Sequence, residues 1–177
     1  MVLALFFLTV FLSNILTIFG QNRLECATFH EKIYQNLTID GNWVVVYDQP
    51  YSHATTSTNL INAAKACSNQ VVVGARRDAT STQPELAAVG PASILRQQTM
   101  PNTTVKYGDV YWYSTKNWSF GFSSINTINQ YSADTSYSPP ALRLIWHLDQ
   151  SIGGYRAGSI VNLDANAIWR KVIYCLN

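Results

Sequence analysis

Two periodicities run along this chain. Between residues 58 and 68 the apolar positions Leu60, Ile61, Ala63, Ala64 and Cys67 recur at helical spacing, behind a cluster of N-cap residues, Thr55, Thr56, Ser57 and Thr58. This predicts one short helix. Before and after it, Trp43-Val44-Val45-Val46-Tyr47 and Val71-Val72-Val73-Gly74-Ala75 are unbroken β-rich runs bounded by turn formers, as expected of strands covered on both faces. The order there is strand, helix, strand.

The second half alternates with period two. Val110-Tyr111-Trp112-Tyr113-Ser114 leads through Thr115-Lys116-Asn117 into 118–123, where Trp118, Phe120 and Phe122 share one face and Ser119, Gly121 and Ser123 the other. That is a hairpin with its aromatic face in the core. In the next strand Leu142, Leu144, Trp146 and Leu148 face inward, while Arg143, Ile145 and His147 face the other way. At the end of the chain Ile168, Arg170, Val172 and Tyr174 alternate with Trp169, Lys171, Ile173 and Cys175. Both faces are mixed, which predicts an edge position or basic stems laid along apolar surface. Residues 76–101 are less regular: Glu85-Leu86-Ala87-Ala88-Val89-Gly90 fits a strand or a helical turn, and Arg76-Arg77-Asp78 a solvated loop with an ion pair to Asp78. Gly153, Gly154 and Gly158 mark bends or close strand approach. Together the elements predict a mainly β domain with a minor α component: two packed antiparallel sheets, sandwich-like, with the single helix.

The first 20 residues carry no charge and are almost wholly apolar, the composition of a secretory signal peptide cut after Gly20. The run is also long enough to span a bilayer, so a retained anchor is the alternative, and the only membrane partner expected. Residues 21–177 then form a single secreted domain of ordinary size. Its net charge is +2 and only 12% of the chain is charged, which excludes the basic footprint of a nucleic-acid or anionic-membrane binder. Three sequons at Asn36, Asn102 and Asn117 predict N-glycosylation on exposed loops.

There are three cysteines, Cys26, Cys67 and Cys175. Domain termini are often close in space, so the preferred bond is Cys26 to Cys175, although Cys67 could equally be the partner of either; left over, Cys67 is a small buried thiol or a link between chains in a disulfide-bonded dimer. The helix ending in Cys67 and the terminal Ile173-Tyr174-Cys175 resemble a C-type lectin domain, in which a helical cysteine pairs with one in the last strand. The Glu-Pro-Asn, Gln-Pro-Asp and Trp-Asn-Asp motifs of that family are absent and the cysteine set is incomplete, so no family is assigned.

For chemistry, there is no Gly-x-Ser-x-Gly elbow, no His-x-x-x-His or Cys-x-x-Cys, no EF-hand and no P-loop. No metal or cofactor is expected. Paired loop aspartates, from Asp134, Asp149 and Asp164, keep a glycosidase-like hydrolase as one reading. The favoured reading is a binding module for an extracellular glycan or glycoprotein, because a sugar's apolar face and hydroxyl rim match an aromatic ring beside planar polar groups. Asp134, Asp149, Tyr155, Arg156 and Asp164 are the candidate ligand contacts. A structural matrix or coat component is the third reading. An ion pair of Arg156 with Asp149 or Asp164 is the non-functional explanation of that arginine.

Overall fold

The computed structural model describes residues 30–39, 41–129 and 139–176. Within them lie ten strands, two of which, at Ile33–Gln35 and Val105–Tyr107, the pattern did not predict, and one nine-residue helix. In chain order these are β1 (Ile33–Gln35), β2 (Trp43–Pro50), α1 (Ser57–Lys65), β3 (Gln70–Arg76), β4 (Leu86–Pro91), β5 (Val105–Tyr107), β6 (Val110–Thr115), β7 (Ser119–Ser123), β8 (Arg143–His147), β9 (Gly154–Ala157) and β10 (Arg170–Leu176). One sheet runs β1-β4-β3-β10-β2 and the other β5-β6-β7-β8-β9, with every neighbouring pair antiparallel. The domain is the mainly β, two-sheet sandwich the pattern predicted.

Its core lies between the sheets. Val71, Val73, Ile173 and Cys175 from the first sheet join Trp112, Phe120, Phe122, Leu144 and Trp146 from the second in one buried cluster. Burying each of the large side chains stabilises by roughly 2–3 kcal/mol. Most of the expected inward face of β8 is there, Leu144 and Trp146 being fully buried with Leu148 just beyond the strand, whereas Leu142 lies before the strand and is half-buried. The outer face of the first sheet is covered too, where Leu37, Val72, Ala87, Val89, Val172 and Tyr174 pack together.

Helix α1 starts where the N-cap cluster placed it. Thr56 caps it, its side chain accepting from Asn59 N while the Asn59 side chain accepts from Thr56 N, a reciprocal capping box. Leu60, Ala63 and Ala64 face the core.

Two local expectations are corrected, and one left open is resolved. β2 is not covered on both faces: it is an edge strand, paired only with β10, and Val44 and Val45 are about half exposed at 53% and 46%. β10 is not an edge: it lies between β3 and β2, its two basic residues going to opposite faces of the sheet. The segment at Glu85 is a strand, β4, followed by a single 3-10 turn at Ala92–Leu95.

The disulfide is also corrected. Cys175 is bonded to Cys67, with Cα atoms 5.2 Å apart, and not to Cys26, which lies outside the described residues. α1 delivers Cys67 to the core directly beside the inward-facing Cys175. Cys67 therefore has no thiol left for a chain-linking role.

Candidate functional site

The predicted ligand contacts divide among different tasks. Asp134 lies outside the described residues. Asp149, at φ 56°, turns back to α1, where its carboxylate accepts from Ser57 N at 2.7 Å and Ser57 Oγ at 2.5 Å. It is a helix cap supplied from the other sheet, placed by the Asp149 N to Thr55 O bond of 2.9 Å. Arg156 is buried, 1% exposed, opposite Ile145 in the β8–β9 ladder. Asp149 is spent on Ser57 and is not the partner of that arginine.

Tyr155 and Asp164 both neighbour His147, at a corner of the second sheet. Leu163 N donates to Tyr155 O at 3.1 Å, folding the loop back along β9. The His147 and Tyr155 rings stand edge to face with centroids 6.5 Å apart. Burial pushes the His147 imidazole below its ordinary pKa and Lys171 adds to this, while the Asp164 carboxylate pulls it back up. His147, Tyr155 and Asp164 are each half-buried.

The arginine pair near Asp78 also splits. Arg76 is buried and bridges to Asp48, which Arg170 Nε reaches at 2.8 Å from the adjacent strand. Arg77 points outward and pairs with Glu85 at 2.6 Å. Asp78 instead caps its own loop, accepting from Thr80 N and Ser81 N at 2.8 Å each.

The most unusual charge is one the sequence reading did not single out. Lys171 is fully buried between the sheets. Its Nζ donates to His53 O and to Thr55 Oγ1, and lies 6.0 Å from the centre of the Trp146 ring. Thr55 Oγ1 is also bonded to Tyr47 OH at 2.9 Å. No carboxylate among the described residues pairs with this amine, and desolvation lowers its pKa from 10.5 to about 7. The available signal was its place on the face shared with Ile173 and Cys175.

A concave site opens elsewhere, at the seam between the sheets. It is a cleft of about 150 Å³ walled by Trp169, Gln35, Glu85, Leu86 and the turn that follows β9. Gly158, at φ 61°, makes that turn, with Ala157 N donating to Ile160 O at 3.0 Å and Gly158 N to Arg143 O at 2.8 Å. Trp169 is held by Tyr51 N donating to its carbonyl at 2.7 Å and by Asn166 Oδ1 accepting from its own N–H at 2.8 Å. Half-buried Trp169 lines the cleft together with the polar residues Gln35, Ser159 and Glu85, the last with both carboxylate oxygens already held by Arg77. None of Asp149, Tyr155, Arg156 or Asp164 lines it.

The three sequon asparagines are exposed and all have positive φ, 51° at Asn36, 58° at Asn102 and 64° at Asn117. Among the described residues no group of three His, Cys, Asp or Glu is placed to hold a metal. No known protein family, curated protein or solved structure matches the chain.

Proposed function

We propose that this is a secreted glycoprotein module that binds an extracellular glycan, taking one sugar ring in the seam cleft. The observation that carries the reading is that Trp169 lines the cleft beside Gln35 and beside Glu85, whose carboxylate Arg77 holds in place. Stacking on Trp169 suits the apolar face of a sugar, and Glu85 and Gln35 suit its hydroxyls. At about 150 Å³ the cleft is smaller than the roughly 300 Å³ or more of a drug-sized pocket, which favours a single ring over a buried oligosaccharide. The charge-free stretch at residues 1–20, the three exposed sequons and the Cys67–Cys175 bond support an oxidising, extracellular setting.

The test is a glycan array followed by titration of any hit against Glu85→Gln, Trp169→Leu and Asp164→Ala. Binding lost with the first two and retained with the third is expected. Loss with Asp164→Ala alone would move the site to the His147 corner, and absence of any glycan binding by the unmodified cleft would end the reading.

A further inference from the structure

A sequon follows directly on a residue that lines the seam cleft. Gln35 lines the cleft from the end of β1, and Asn36 follows it directly. Asn36 N donates to Glu85 O at 3.0 Å and Leu37 N to Pro84 O at 3.1 Å, so Asn36 stands opposite the residue that supplies the cleft's carboxylate. Leu37 is buried on the outer face of the first sheet, whereas Asn36 and Thr38 remain exposed. In sequence neither Asn102 nor Asn117 adjoins a cleft residue.

We propose that Asn36 carries an N-linked glycan whose first N-acetylhexosamine ring occupies the seam cleft, packed on the Trp169 indole. The modification joins Asn36 Nδ2 to the anomeric carbon of a lipid-linked pyrophosphate sugar. The bond from that carbon to the pyrophosphate oxygen breaks, the lipid pyrophosphate leaves, and the amide nitrogen gives up one proton. Attachment at the residue after Gln35, which lines the cleft, brings the first ring within reach of it. The cleft's volume, its indole and its hydrogen-bonding rim are the features such a ring needs. A sugar tethered this way sits at an effective concentration on the order of millimolar, so it regulates the cleft by competing with any external glycan. The inference rests on the secreted, sugar-binding reading above, and adds the identity of a ligand held in cis.

The test uses the full protein secreted from eukaryotic cells with isotope-labelled hexosamine and trimmed to one sugar per site. The variant Thr38→Ala identifies the Asn36-linked signals by removing them. Their ring and acetyl-methyl protons are expected upfield of those at Asn102 and Asn117, through the ring current of Trp169, with the displacement lost in Trp169→Leu. Chitobiose, the probe for the cleft, is expected to bind Thr38→Ala several-fold more tightly than the modified protein. Peptide mass spectrometry that finds Asn36 unmodified, or Asn36-linked signals coincident with those of the other sites, overturns the proposal. If those signals lie upfield but chitobiose binds neither protein, the sugar held in cis stands and binding of external glycans falls. If the signals coincide but Thr38→Ala binds chitobiose, the reverse holds.

Discussion

Replacing Lys171 by Met removes a buried amine and keeps the length of the side chain. In the folded protein the amine's pKa is about 7 against an ordinary 10.5, because burial between the sheets penalises its charged form. Between those two pH values the unfolded chain binds a proton that the folded one refuses, so stability rises with pH across the window. The penalty is fully present below pH 7. From pH 7 to pH 9 this single group contributes a gain of about 2 kcal/mol, worked from linkage with those two pKa values. In Lys171→Met that gain should vanish, leaving a nearly flat profile. Below pH 7 the variant should be the more stable by about 1 kcal/mol. Removing a buried charge with no carboxylate partner is favourable, and of the two acceptors that lose the Lys171 donor, His53 O and Thr55 Oγ1, the latter keeps its bond to Tyr47 OH. Urea unfolding of both proteins at pH 6, 7, 8 and 9 measures this. Parallel profiles would refute the reasoning, showing that the Lys171 ammonium is solvated in the folded state.

The Cys67–Cys175 bond closes 108 residues, and the double variant Cys67→Ala/Cys175→Ala should lose about 4–5 kcal/mol in urea unfolding if the bond acts chiefly on the unfolded chain. Asp149→Ala removes the carboxylate from Ser57 and should cost about 1–2 kcal/mol in thermal unfolding, with Asp149→Asn recovering part of it because its amide oxygen still accepts from Ser57 N. A Cβ at position 153 would stand 1.6 Å from Tyr51 O, so Gly153→Ala should destabilise by at least about 3 kcal/mol; a urea midpoint equal to that of the parent would show the Tyr51 loop yielding freely.

The pattern of the chain determined those features that depend only on neighbours in sequence. The helix behind its threonines, the 110–123 hairpin, the inward leucines and Trp146 of β8, and the glycines at 153 and 154 that meet Tyr51 all follow from periodicity or backbone sterics. The two-sheet class follows from those elements together. Tertiary structure decided what depends on partners far along the chain. The valine run of β2 and the mixed pattern of β10 point the wrong way about edge and centre, because a strand's position is set by which other strands flank it. Cys175 had two possible partners until α1 placed Cys67 beside it. Asp149 became a cap and Arg156 an interior residue because their surroundings come from far along the chain, Ser57 lying 92 positions from Asp149 and Tyr51 105 from Arg156. The cleft is the plainest case: Gln35, Glu85, Ser159 and Trp169 come from separate segments, and no local pattern in any of them encodes the gap that the two sheets leave at their seam.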